Sequence, residues 1–143
     1  MSSSPPGRAW VAELDGAAEC VVTTAPGTLR YLDDDLPYCC VTGVCTSHIA
    51  RRQGLATALT AHAVVADAAD GLPLAGLGVF EHGFYDRLGF GGGGYEMQVS
   101  FDPARLKVPT SRRVPRRITK DDWELVHASR LARRRVHGCV NMP

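Results

Sequence analysis

Along the chain, short alternating or continuous apolar runs bracket one long stretch of helical periodicity. Residues 9–13 and 19–24 are β-prone, and Asp15-Gly16 between them tolerates the positive φ of a tight hairpin turn. Pro26-Gly27 predicts a second turn, residues 28–32 a further strand, and Asp33-Asp34-Asp35 a solvated loop. Residues 36–46 (LPYCCVTGVCT) form a nearly continuous run of small apolar side chains, the pattern of a strand buried on both faces. Gly43 in its interior predicts a bulge or a close backbone approach.

From Arg51 the period becomes helical. Leu55, Leu59 and Ala63 recur at i, i+4 and i+8 with Ala58 and Val65 beside them, and Asp70-Gly71-Leu72-Pro73 supplies a stop. Residues 74–80 predict another buried strand, 81–88 a two-turn helix closed by Gly89, and 95–101 an alternating strand ended by Asp102-Pro103. Strands alternating with helices indicate an α/β layered domain. After Pro103, Pro109 and Pro115 bracket a basic linker, and Thr119 stands as N-cap of a helix over 123–135. Asp121 and Asp122 lie in its first turn, where the helix dipole favours anions.

Composition narrows this picture. A chain of 143 residues, 45% hydrophobic and 22% charged, fits one globular domain. The longest apolar stretch, 58–69, is broken by Thr60, His62 and Asp67, which rules out a membrane span. The first seven residues have neither the basic flank nor the apolar core of a secretory signal and predict a disordered lead-in. Cys20, Cys39, Cys40, Cys45 and Cys139 are odd in number and form no C-x-x-C pair. They predict reduced thiols in a cytoplasmic protein rather than a disulfide framework or a zinc site. The net charge of +1 conceals a division: residues 1–103 carry 5 Lys/Arg and 12 Asp/Glu, whereas 104–143 carry 11 and 3. The basic segment is either a nucleic-acid arm or a compositional boundary, and its opposite charge would let it dock on the acidic part.

The chemistry concentrates where the strand over 38–46 meets the helix. His48-Ile-Ala-Arg-Arg-Gln-Gly54 is a basic turn, and a helix start offers unpaired N–H groups and partial positive charge, which suits a phosphate or pyrophosphate. An ordinary helix start is the bland alternative. Gly89-Phe-Gly91-Gly-Gly-Gly94 satisfies G-x-G-x-x-G but follows a helix and precedes a strand, the reverse of a dinucleotide-binding turn. His62 fits a packed histidine better than a ligand, and Cys45 on a buried strand fits a small core residue.

Arg51-Arg52-Gln53-Gly54-Leu55-Ala56 resembles the (Gln/Arg)-x-x-Gly-x-(Gly/Ala) signature of the GNAT N-acetyltransferase superfamily. Some 30 residues on, Phe84-Tyr85-Asp86-Arg87-Leu88-Gly89-Phe90 is similar to its aromatic Tyr-x-x-x-Gly-Phe segment. Within the superfamily, Val41-Thr-Gly-Val44 and Glu81-His-Gly-Phe-Tyr85 look like the enhanced intracellular survival family of multi-acetylating enzymes. The resemblance implies a mixed, largely antiparallel sheet flanked by helices over residues 8–103, incomplete at the N-terminus, with 104–143 a basic helical extension opening a second domain. It implies an acetyl-CoA-dependent N-acetyltransferase acting on an amine acceptor by direct attack, without a metal. Arg51, Arg52, Gln53, Gly54, Leu55 and Ala56 would bind the pyrophosphate, and Val44, Cys45 and Thr46 would pair with the pantetheine amides. Tyr85 would protonate the departing thiolate, since a phenol near pKa ~10 stays neutral at pH 7 and reaches a thiol of pKa ~8.5. Beside the resemblance, Glu81 and His82 sit next to Tyr85, where either could serve as general base for an amine, with capping of the short helix as the bland alternative for Glu81.

The chain departs from the pattern at His48-Ile49, where the family tends to Pro and a polar residue, and at Phe80, where a small hydroxyl residue is common. About eight residues precede the hairpin where the family has a strand and one or two helices. These departures motivate the alternative of a catalytically inactive or partial GNAT-fold protein acting through self-association, as a homo-oligomer, or through a partner. The charge break falls at the end of the acetyltransferase-like segment, which favours a linker and helix over a nucleic-acid arm.

Overall fold

A computed structural model of the chain describes residues 7–79, 83–93, 98–107 and 114–142. It separates into two compact units, Met1–Gly92 with Arg135–Pro143, and Gly93–Arg134.

Among the described residues the first unit is built on a five-stranded, mostly antiparallel sheet. β1 (Arg8–Leu14), β2 (Ala17–Tyr31) and β3 (Asp34–Thr46) follow one another as antiparallel neighbours, β4 (Leu74–Gly76) runs parallel to β3, and β5 (Val140–Asn141) is antiparallel to β2. Asp15 (φ 51°) and Gly16 (φ 79°) make the predicted two-residue turn between β1 and β2. The Pro26-Gly27 turn does not form: β2 runs straight through it, and the chain reverses instead at Leu32-Asp33, leaving Asp34 and Asp35 inside β3. Two local facts explain this. A Cβ on Gly27 would lie 2.5 Å from the Asn141 carbonyl oxygen, so the glycine admits β5 rather than a turn. Pro26 falls after β1 has ended and before β5 begins, where an absent N–H breaks no ladder on that side.

The bulge expected at Gly43 is present. Thr23 faces Gly43 while Thr24 faces Val41, so Thr42 is the extra residue of β3. Because side chains alternate along a strand, Val41 and Val44 would otherwise point to opposite faces; the extra residue returns both to the face carrying Val22. The bulge is bound by its neighbours, Thr23 Oγ1 lying 2.9 Å from Thr42 Oγ1, which also donates to the Thr23 carbonyl at 3.2 Å.

α1 (Leu55–Ala69) covers this face. Val22, Val41 and Ala63 form its buried centre, with Trp10, Val44, Leu59, Leu77 and Phe90 packed around them. Val65, expected on the apolar face, is 69% exposed. His62 is exposed too, its ring meeting Trp10 edge-on at 4.8 Å. Near its C-terminal end the helix is pinned to the sheet by buried Asp67, whose carboxylate accepts from Arg8 at 3.0 Å and from the Cys39 thiol at 3.0 Å. All five cysteines are free thiols, and among the described residues no helix is long and apolar enough to cross a membrane.

The C-terminal stretch of this unit fastens the far half of the β2–β3 hairpin. Arg30 donates to Cys139 O and accepts from Gly138 N–H, the Leu32 amide donates to His137 Nδ1, and Arg135 pairs with Asp35 at 2.5 Å. Nothing in the apolar pattern predicts β5, which is two residues long. After Gly76 the described chain has no further strand up to residue 79, and residues 98–101 are not a strand; 80–82 and 94–97 lie outside the described residues. The two-turn helix predicted over 81–88 is, in its described part, a single 3₁₀ turn, Tyr85–Leu88.

In the second unit, α2 (Trp123–Leu131) stops short of the predicted 135. Thr119 does cap it, through a 3₁₀ turn: its hydroxyl accepts from the Asp121 amide, and Asp122 accepts from the Thr119 amide at 2.8 Å.

Candidate active site

Strands β3 and β4 pair only from Tyr38 with Leu74 to Cys40 with Gly76. Beyond that point the outer edge of β3 has no strand partner among the described residues, and a cleft of about 660 Å³ opens there. Val44, Cys45 and Thr46 form one wall. Their placement follows from the bulge: Val44 packs inward against the core, Thr46 Oγ1 donates to the Cys20 sulfur at 3.3 Å, and Cys45 is exposed. A strand edge without a neighbour presents alternating N–H and C=O groups, able to pair with an extended, amide-bearing ligand.

The turn into α1 supplies a second wall through Ala50, Arg51, Arg52, Gly54, Leu55, Ala56 and Thr57. After the 3₁₀ turn His48–Ala50, the chain passes through Arg52 at φ 63° and Gly54 at φ 80° before the helix begins. Glycine takes the second of these left-handed conformations without steric cost. Among the described residues no side chain caps α1, and its first turn has no acidic residue, so its leading N–H groups and the dipole's positive end are left for an anion. Arg51 and Arg52 are exposed and join no ion pair among the described residues. Gln53 points elsewhere, donating to the Ile49 carbonyl at 3.2 Å beside a smaller hollow shared with Asp15 and Glu19.

Phe84 and Tyr85 line the cleft, and Gly78 joins them from the chain beyond β4. Tyr85 opens the 3₁₀ turn that Gly89 closes at φ 87°. Its ring stands edge-on to Phe84 at 4.9 Å and to Phe90 at 6.0 Å. Phe90 packs on the Val22–Val41–Ala63 centre and donates its amide to the Tyr85 carbonyl at 3.3 Å, so the half-buried phenol is carried by the core itself. Glu81 lies outside the described residues.

The cleft therefore gathers Tyr85, the Val44–Cys45–Thr46 edge and every residue of the turn motif except Gln53. Ala50, Thr57, Gly78 and Phe84 join the lining without having been given a role in the sequence reading. Thr57 and Phe84 adjoin the two motifs, whereas Gly78 reads simply as part of an apolar strand. A cationic, amide-rich turn, an open strand edge and a phenol together suit a long ligand with an anionic middle, an amide-bearing arm and a reactive end. Among the described residues no group of three or more His, Cys, Asp or Glu is placed to hold a metal ion.

Residues 3–93 match the acetyltransferase (GNAT) domain family. No sequence among the curated proteins matches the chain. Of solved structures, a transcriptional regulator from Bacillus halodurans C-125 superposes with a TM-score of 0.54 at 20% identity, over 66% of each chain. The match thus spans slightly under two thirds of that protein's length. Eis1 from Mycobacterium abscessus gives a TM-score of 0.57 at 25% identity, over 59% of this chain and 22% of Eis1. The aminoglycoside N-acetyltransferase AAC(6')-Iy, in a complex with CoA, gives 0.54 at 17% identity, over 66% of this chain and 75% of the other.

Proposed function

The chain belongs to the GNAT acetyltransferase domain family, and from that premise we propose that it is an acetyl-CoA-dependent N-acetyltransferase whose co-substrate lies in the cleft between β3, the turn into α1 and Tyr85. The observation that carries this reading is the convergence of all three on one cavity. The α1-leading amides with the Arg51 and Arg52 side chains hold the pyrophosphate. The open edge at Val44, Cys45 and Thr46 pairs with the pantetheine arm and so directs the thioester towards the fork between β3 and β4.

The reaction is direct transfer. An amine nitrogen attacks the thioester carbon, the tetrahedral adduct collapses with cleavage of the C–S bond, and Tyr85 gives its phenolic proton to the departing thiolate. Glu81 is the candidate to take the proton that the amine loses. Likeness to the enhanced intracellular survival proteins, motivated by residues 41–44 and 81–90, extends the proposal to acceptors bearing several amines. A CoA complex of AAC(6')-Iy, a protein of similar fold, supports the choice of co-substrate. Calorimetric titration with acetyl-CoA tests the reading: saturable binding at micromolar to millimolar concentration is expected, and no heat of binding at millimolar acetyl-CoA refutes it.

A further inference from the structure

Residues 135–141 are held on the tip of the β2–β3 hairpin by polar contacts, and one of these depends on protonation. The Leu32 amide donates to His137 Nδ1 at 3.1 Å, so that nitrogen bears no proton and the imidazole is neutral. An imidazolium carries a proton on both nitrogens and would set a donor against a donor there. Leu32 is also where the hairpin reverses, at φ 52°, in the left-handed region that a leucine rarely takes. His137 therefore holds the amide of the strained residue, its ring edge-on to Tyr31 at 5.2 Å.

The charged groups facing this contact are known. Asp33 lies 3.9 Å from the Arg30 guanidinium, Asp35 is shared by Arg30 and Arg135, and Asp34 is exposed. Among the described residues no carboxylate pairs with His137. On its own segment the titratable neighbours are Arg135 and the Cys139 thiol. The remaining contacts of the segment are the backbone bonds of Arg30 with Gly138 and Cys139, the pairing of Thr28 and Leu29 with Asn141 and Val140, and the bond from Arg135 to Thr28. Guanidinium groups and ordinary carboxylates keep their charge between pH 5 and 8, where imidazole is the side chain that changes.

We propose that residues 135–141 form a pH-sensitive clasp on the hairpin tip, closed while His137 accepts from Leu32 and loosened in mild acid when Nδ1 takes a proton from solvent. The closed clasp excludes that proton, so closure is favoured at higher pH and weakens as pH falls. Opening bares the β2 edge at Thr28 and Leu29 and releases the C-terminal connection of Gly93–Arg134. The clasp shares no residue with the cleft, so it stands or falls apart from the acetyl-CoA reading.

Amide exchange of the full chain, followed by NMR at pH 7.5 and 5.0 and expressed as protection factors, tests this. In wild type the Arg30, Leu32 and Gly138 amides should lose protection by about fivefold or more at the lower pH, the scale of one lost hydrogen bond, while those of α1 stay within about twofold. In His137→Asn an amide oxygen can accept from Leu32 without taking a proton, so the drop should vanish. Equal protection of the clasp amides at both pH values in wild type overturns the proposal, and so does an undiminished drop in His137→Asn. Imidazole ¹⁵N shifts of the wild type give a reading that needs no variant: a bare Nδ1 at pH 7.5 is expected, and a proton on it at that pH overturns the proposal.

Discussion

Tyr85 has its ring fixed by Phe84 and Phe90, and Phe90 is itself a core residue. Replacement by phenylalanine keeps those ring contacts and removes the proton. Tyr85→Phe should therefore bind acetyl-CoA normally and slow acetyl transfer by roughly 10² or more, as loss of a general acid does; single-turnover rates beside calorimetric Kd values check this. Cys39 and Tyr38 make a different prediction. Burial, reinforced by the hydrogen bond to Asp67, pushes the Cys39 thiol up to about 12, and burial pushes the Tyr38 phenol likewise up to about 12. The folded chain thus holds both protons more tightly than the unfolded chain, whose thiols and phenols titrate near 9 and 10. Stability is full below about pH 9 and falls as pH rises from there towards 12, by up to ~1.4 kcal/mol per pH unit for each such proton. Urea unfolding between pH 8 and 11 should show the decline, and Cys39→Ala should lessen its slope. Residues of this kind differ in how far the sequence exposes them. Tyr85 and the Arg51–Gly54 turn announce themselves by spacing, whereas Asp67 looks like a polar break in a helix until Arg8 and Cys39, 59 and 28 positions away, are seen to meet it.

Elements form where local and distant demands agree. α2 has a local start: Thr119 and Asp122 close a capping box, and the Arg116 guanidinium 2.7 Å away holds the Asp122 carboxyl below its ordinary range. Thr119→Ala should speed amide exchange in α2 by about fivefold, the usual effect of a lost cap. A carboxyl with a lowered folded value contributes stability above its unfolded value and loses it as pH falls. Protection of those amides should therefore drop below about pH 4, which exchange measured from pH 6 down to pH 3 would detect. The cap was legible because its signals lie within four residues. The end of α2 at Leu131 was not, since Arg133-Arg134-Arg135 suits a helix terminus equally well just inside or just outside it. β2 shows the stronger failure of local signals. Pro26-Gly27 has turn chemistry, yet twelve register pairs with β3, running from Cys20 to Tyr31, and the approach of Asn141 to Gly27 keep the strand extended. At Gly43 the sequence offered a bulge or a close backbone approach; that it is a bulge, and that its purpose is to put Val41 and Val44 on one face, emerge only from the register.

For the molecule as a whole, the division between an acidic and a basic portion is real in sequence but is not respected by the fold. Arg135, counted in the basic segment, folds into the same unit as the hairpin and joins Asp35 and Thr28. Arg135→Ala should lower unfolding free energy by about 0.5–1 kcal/mol in dilute buffer, and by less in 1 M salt, because the pair is partly exposed and screening weakens it. Thermal denaturation of both proteins at two salt concentrations measures the difference. The same fastening has a temporal consequence. The contacts of residues 135–141 with the hairpin span 100 to 113 positions, so they add greatly to contact order, and such contacts form late. At ~5–20 residues per second of synthesis, the hairpin waits on the order of 5–20 s for the segment that will complete it. Throughout that interval Asp33, Asp34 and Asp35 keep its tip charged, and a charged strand end resists pairing with the wrong chain. The aspartates that make the tip look like an ordinary solvated loop thus also guard a newborn strand until Arg135 arrives.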